Sequence, residues 1–377
     1  MMPGLKNYML EPEEMARRLQ RHFHFWDRRY EGEGAYISIT APDEKQLAVY
    51  PAIAPPKDLE TKWFDIDYRL KRYDWDLQTT YYAGDAVPCV NVDFGPGVLA
   101  AMLGADYRLD EHTIWFGTGP LLMGRQDLDR LEVQVNGKAY RAVMELTRRL
   151  CEHAKGRYAV GVADAGMNLD VLASLYGREK LLLDILRCPD AIRAMLRRID
   201  SWWARVVDDN YRIIERYTGC AASWIPIANQ RRWYPLLSEF SAMISPVMFE
   251  QIVLPALQRE AASLKQVLFN LDGEEAIRHL PLIKQIIGLH AIEWDPVPQY
   301  STAKRLIYKQ FTSKTSIEAC RQIQAYNLKL VINGILPEEV PAILRHISPD
   351  GVFFIVSCDS RKSADEFYDQ VSPWMRL

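Results

Sequence analysis

Short apolar runs that end in an acid, an amide or a thiol, each followed by a stretch with helical periodicity, recur along this chain and limit its fold more than any other feature. Val267–Gly273 (VLFNLDG) is the clearest: apolar, β-favouring residues run straight into Asn270, Asp272 and Gly273, the pattern of a buried parallel strand whose C-terminal edge faces a site. The same pattern is read at Ala35–Thr40, Val87–Phe94, Tyr158–Asp164, Cys220–Ile227, Ala291–Pro296, Leu328–Ile335 and Gly351–Cys358, with Lys304–Phe311 opening a further unit. Strand and helix alternate nearly throughout. That alternation predicts a (β/α)₈ barrel or a doubly wound sheet. No glycine fingerprint of the dinucleotide type follows the first strand, which favours the TIM barrel.

The intervening helices carry their own signals. Glu11–Tyr30 is basic and amphipathic, with Pro12 suited to its first turn; Arg17, Arg18, Arg21, Arg28 and Arg29 form either a solvated face or an anion site. Pro189–Thr218 is a long helix ended by Gly219, and the helix opened by Ser245-Pro246 should kink at Pro255. A helix is also expected from about Asp58 to Gln78. Its rings either close over the barrel mouth as a lid or pack against the barrel. The expected organisation is an N-terminal helical extension over 1–34 and one barrel domain over 35–377, with a long insertion after the first strand.

In a 377-residue chain with 49% hydrophobic residues one large core is affordable, and ten Trp with nineteen Tyr suit pocket walls. The net charge of -3 gives no reason to expect nucleic acid or a membrane surface as partner, so a small-molecule substrate is expected. Six scattered cysteines without a C-x-x-C pair argue against a disulfide framework and for a reducing, cytoplasmic setting. The N-terminus lacks a signal-peptide pattern. A homodimer stays open as the assembly.

A barrel would gather the strand-end residues Asp93, Asp164, Asn270, Asp272, Glu293, Asn333 and Cys358 at one mouth. Period-two alternation sets Glu293 and Trp294 on opposite faces. Arg231 and Arg232, beside Trp224, Trp233 and Tyr234, offer bidentate bonds to a carboxylate or phosphate. Other residues admit two readings. Asn168 and Asp170 serve a ligand or start a helix; Asp272 with Glu275 has the spacing of a capping box; Gly95-Pro96-Gly97 is a phosphate cradle or a tight turn. His290, before its strand, reads as structural.

The order of RHFHFWDRR with AYISITAP, the G-P-G turn with LAAMLGADY, VADAGMNLDVLASLYG, ISPVMFEQIVLPAL, and LFNLDG followed by HAIEWDP resembles the uroporphyrinogen decarboxylase superfamily, which includes cobalamin-dependent methyltransferases. The resemblance covers most of the chain and implies a (β/α)₈ barrel. Decarboxylases of that superfamily carry an RQAGR-like motif after the first strand; here the place reads Ile37-Ser38-Ile39-Thr40-Ala41-Pro42, without arginine. Its methyltransferases hold zinc with His-x-Cys and a later Cys, and here Asn270 and Asp272 stand in the first two places while Cys358 matches the third.

The resemblance therefore implies, first, a methyltransferase for a small methylated metabolite or a methyl-corrinoid partner protein, with Cys358, Asp272 and Glu293 as the metal set for zinc and a corrinoid carried by that partner. The alternative is a metal-free lyase decarboxylating a porphyrinogen or smaller acid, in which Asp93, Asp164 or Asp272 delivers a proton while Arg231 or Arg232 holds a carboxylate. Asn168, Trp224, Tyr234, Asn270, Glu293 and Asn333 complete the expected substrate contacts. A barrel that binds a small ligand without turning it over is the third reading.

Overall fold

The computed structural model describes residues 10–375 apart from 28–30, 118, 123, 129, 297 and 302–305; Arg28 and Arg29 thus lie outside the described residues. In chain order the main elements are α1 (Pro12–Phe25), β1 (Tyr36–Pro42), α2 (Ile66–Gln78), β2 (Thr80–Gly84), β3 (Cys89–Val90), α3 (Lys138–Ala154), β4 (Ala159–Gly161), α4 (Asn168–Tyr176) and α5 (Pro189–Tyr217). They continue with β5 (Ala221–Ala222), β6 (Trp233–Leu236), α6 (Leu254–Ala262), β7 (Gln266–Asp272), β8 (Leu289–Asp295), α7 (Lys314–Ala325), β9 (Lys329–Ile335), β10 (Val352–Ser357) and α8 (Arg361–Val371). The expected seventh unit is instead an antiparallel hairpin, Pro298–Ser301 with Leu306–Lys309.

The labelled strands form two ladders, one in the order β2-β1-β10-β9-β8-β7-β6 and one in the order β3-β4-β5. Every neighbouring pair is parallel except β1 with β2. The fold is therefore mixed α/β on a mainly parallel sheet, but its hydrogen-bonded ladder does not close into a barrel. Both breaks have local causes. The edge of β1 that would meet β3 is already taken by β2, with Gly84 (φ +60°) so close that a Cβ there would lie 2.2 Å from the Ile37 carbonyl oxygen. After β5 the Ser223 hydroxyl accepts the Ile225 N–H at 3.0 Å, Pro226 has no N–H to give, and the chain turns back so that Asn229 bridges antiparallel to Ala221. The strand expected over Cys220–Ile227 thus shrinks to two residues. Its place beside β7 is taken by β6, where no strand was expected.

Period-two alternation gives the sheet two different faces. Ile37, Ile39, Phe269, Leu271, Ile292, Trp294, Ile332 and Phe354 join the large cluster shared with the surrounding helices. The opposite face carries Tyr36, Phe353, Val331, Ala291, Leu268 and Trp233 from six neighbouring strands, and α1 closes it by inserting Phe25 and Trp26. Phe25 meets the Phe353 ring edge-on at 5.2 Å, and the Trp26 and Trp233 rings lie 4.6 Å apart. Beyond this apolar layer, toward the C-terminal strand ends, the same face turns polar, with Ser38, Asn270 and Asn333.

The basic face of α1 is neither solvated nor an anion site at its two buried arginines. Arg21 makes a buried ion pair with Asp85, and Arg18 donates to the Ala86 carbonyl at 2.8 Å. Near Pro255 the helix widens into a π-turn over Phe249–Val253, which accommodates the missing N–H.

Because Phe25 is fully buried in the inner apolar layer, Phe25→Ala is expected to cost about 3–5 kcal/mol of stability. Urea unfolding monitored by circular dichroism measures it; a loss below about 1 kcal/mol would mean that α1 does not close this face.

Candidate functional site

The carboxylates at the C-terminal strand ends are organised around one backbone contact. Asp164 follows β4, and the next turn reaches Gly166 (φ +67°), where a Cβ would lie only 2.5 Å from the Gly97 Cα. Only glycine permits that approach. The Gly95-Pro96-Gly97 turn is therefore explained by backbone packing, and the helix after it is a single turn, Leu99–Met102. The Val98 and Leu99 N–H groups donate to the Asp164 and Ala165 carbonyls at 3.3 and 2.9 Å. Asp93 and Asp164, more than seventy residues apart in sequence, are thereby held side by side.

Asp164 accepts the Gly166 N–H at 2.9 Å and is also hydrogen-bonded by the Gly97 backbone. Burial outweighs these bonds. Helped by the nearby charges of Glu239 and Asp93, it pushes the carboxyl up to about 7. Asp170 is pushed up to about 7 as well, by burial and then by Glu239, although it accepts the Glu239 and Phe240 N–H groups at 3.0 and 2.7 Å. Glu239 is itself raised by burial and by Asp295, against the lowering pull of Arg178. A chain of mutually opposing acids thus runs from Asp93 through Asp164, Asp170 and Glu239 to Asp295. Asp295 pairs in register with Asp272 on β7.

On the inner face of the sheet, Glu293 is 2% exposed and lies between two amides. Asn270 donates to its Oε2 at 2.6 Å and Asn333 to its Oε1 at 3.1 Å. Three neighbouring strands each contribute one of these residues, as alternation expects, and Trp294 packs on the other face. Charge-assisted bonds from both sides compensate the buried carboxylate.

Several expected site residues go elsewhere. Arg231 and Arg232 immediately precede β6, whose first residue pairs with Gln266 at the start of β7, so they lie at the N-terminal edge, opposite the acids. Arg232 is spent on Glu215 and Asp208 at 2.6–2.7 Å, and Arg231 is exposed. Tyr234 is buried; its hydroxyl accepts the Ala165 N–H at 2.9 Å and donates to the Ala163 carbonyl at 3.2 Å, bracing the Asp164 turn from behind. Trp224 packs edge-on against it. Asn168, fully buried at φ +33°, donates to the Leu237 carbonyl and to Glu260. The turn after Asp272 is capped by Gly273 without a side-chain bond, so the expected capping box is not formed.

Cys358, Asp272 and Glu293 do not converge as a metal set. Cys358 is buried in the outer, helix-packed cluster and lines a separate cavity of about 350 Å³ with Thr40, Trp75 and Asp76. Burial, then Asp359 and Glu338, push its thiol up to about 11, the opposite of an activated thiolate. Among the described residues no group of three or more His, Cys, Asp or Glu is arranged to hold a metal ion.

Sequence reasoning singled out Asp170 with two roles open and missed Glu239 and Asp295 as members of the acidic chain. It also missed a cavity of about 560 Å³ beside Asp93, lined by Trp63, Tyr68, Arg69 and Tyr73 from the insertion after β1. The rings were legible, and their grouping around an arginine was not.

No family model matches the chain, and no curated protein matches it. A solved mandelate racemase/muconate lactonizing enzyme from Jannaschia sp. CCS1 is 15% identical over 93% of this chain and 76% of that one, with a TM-score of 0.22. So low a score carries nothing over to this chain. Among the described residues no helix is long and apolar enough to cross a membrane.

The raised Asp164 carboxyl has a consequence for stability. Unfolded aspartate titrates near 4, whereas the folded group titrates at about 7, so between those values the native state binds the additional proton. Stability falls as pH rises through that window, and the full penalty is present above it. Asp164→Asn removes the penalty: its urea midpoint should exceed wild type at pH 8 and converge with it near pH 4. Equal midpoints at both pH values would contradict the assignment.

Proposed function

We propose that this chain is an acid–base enzyme of small-molecule metabolism, and that its reaction is a decarboxylation completed by proton delivery from Asp164. The observation that carries the proposal is a carboxyl pushed up to about 7 at a strand end, among other acids. A carboxylic acid that is half protonated at neutral pH can give a proton and recover it within one cycle. Burial, then Glu239 and Asp93, keep the proton on it by disfavouring the ionised form, while the Gly97 and Gly166 N–H groups and Tyr234 hold its turn in place.

In the proposed step the bond between the substrate carbon and its carboxylate breaks and CO₂ leaves with no electron pair. The pair remaining on carbon takes the Asp164 proton, and the resulting carboxylate is reprotonated from water. A site rich in negative charge favours loss of a carboxylate over its retention. The motif-order resemblance to the uroporphyrinogen decarboxylase superfamily is compatible with this reaction class, although the arginine-bearing motif of its decarboxylases is absent at Ile37-Ser38-Ile39-Thr40-Ala41-Pro42. Methyl transfer through a zinc-bound thiolate is disfavoured by the position of Cys358, which packs among the helices and lines a separate cavity.

Release of CO₂ from a panel of porphyrinogen and smaller aromatic polycarboxylates tests this, with deuterium incorporation at the vacated carbon in D₂O. Asp164→Asn should lower kcat by about 10²–10⁴-fold. Wild-type kcat should fall as pH rises through about 7, the value at which Asp164 loses its proton. No CO₂ from any acid of the panel, or a fully active Asp164→Asn, would overturn the reading.

A further inference from the structure

The cavity beside Asp93 contains a buried positive charge that the protein does not neutralise. Arg69 lies on α2, is 5% exposed and lines the cavity of about 560 Å³. Its guanidinium donates to the Trp63 carbonyl at 3.1 Å, to the Tyr73 hydroxyl at 2.5 Å and to the Asp93 carbonyl, and it stacks over the Phe94 ring at 4.4 Å. All these acceptors are neutral. Among the described residues no carboxylate comes within ion-pair distance of it; the Asp93 side chain instead accepts the Gly95 N–H at 2.8 Å.

The other two cations of the cavity differ. Arg72 is paired with Asp76 at 3.0 Å, and the half-buried Lys62 is bonded to the Glu111 carbonyl and lies over the Trp63 ring at 5.8 Å. A buried guanidinium without a counter-ion is costly unless an anion completes it. Here the bonds to neutral oxygens orient the group and leave its charge to attract a partner from the cavity.

We infer that this cavity binds the retained carboxylate of a planar, aromatic acid through Arg69 and Tyr73, while the reacting carbon reaches past Asp93 to Asp164. Among the described residues Arg69 is the buried cation of the cavity without an ion pair, and it calls for one negative charge. A phosphate dianion would also meet Asp93 and Glu111, which line the same cavity. Trp63, Tyr68 and Tyr73 supply flat surfaces for a ring system, and the volume falls in the range of small-molecule sites. The identification of this ligand as the substrate rests on the decarboxylation reading. Binding of the acid in the cavity does not.

The probe is 2-naphthoate, which has one carboxylate on a planar body and none to lose. Its neutral counterpart is 2-naphthamide and its dianionic one 2-naphthyl phosphate. By isothermal titration calorimetry on the whole protein, 2-naphthoate should bind at least about tenfold more tightly than either. Arg69→Gln should weaken naphthoate by about tenfold or more, and Arg72→Gln, whose charge Asp76 already neutralises, by less than about threefold. Ile53→Trp, at a half-buried residue that lines the cavity, should block binding without touching Arg69.

Equal binding of acid and amide, no binding of naphthoate, or an unchanged affinity in folded Arg69→Gln would overturn the inference. Tighter binding of the phosphate would overturn the carboxylate assignment. Should Arg69→Gln fail to fold, the acid–amide comparison on wild type and the Ile53→Trp variant decide. Naphthoate binding without CO₂ release from any polycarboxylate would leave this inference standing and remove the decarboxylation.

Discussion

The backbone contact between Gly97 and Gly166 fixes the chemistry of this fold. With 2.5 Å between a hypothetical Cβ at Gly166 and the Gly97 Cα, neither loop can retreat without separating the ends of β3 and β4. That closeness puts Asp93 and Asp164 in one another's field, takes water from the Asp164 carboxyl and supplies it with two backbone donors. The donors stabilise the ionised form and the burial opposes it. Burial wins, so the group settles near neutrality instead of near the usual carboxylate range.

A second constraint is that every buried charge on the inner face must be met. Glu293 is met by two amides, and Lys329 at the opposite end by Glu33 at 3.2 Å with the rings of Phe25 and Tyr36. Arg21 is met by Asp85. These pairs tie α1 and neighbouring strands into one inner layer. Against that background the neutral surroundings of Arg69 stand apart, because the same chain elsewhere provides a counter-charge or an amide.

What the sequence revealed and what it hid divide along the range of the interactions involved. Strand identity and facing depend on period-two patterning, which is local. Glu293 and Trp294 accordingly fall on opposite faces, and β7, β8, β9 and β10 match their expected runs within a residue or two. The edges of the ladder depend on distant competition and were not legible. β2 takes the free edge of β1, and β6 displaces the expected strand at Cys220–Ile227 because Ser223 and Pro226 divert the backbone. That displacement moved Arg231 and Arg232 from the expected mouth to the far edge, and with them the anion site they were expected to form.

The inherited pattern misled in one further way. The match to the superfamily's last zinc-binding Cys, together with a strand-end position, nominated Cys358 as a ligand, yet whether a strand-end residue faces the site depends on where the strand stops. β10 ends at Ser357, whose hydroxyl meets Thr40 at 3.3 Å, while the next residue packs among the helices. The same reasoning accounts for Arg69. Nothing in the spacing of α2 distinguishes it from Arg72, one turn later. Only the fold buries the first against Phe94 and leaves the second at the surface beside Asp76, so the residue that shapes ligand charge is chosen by tertiary burial and not by motif.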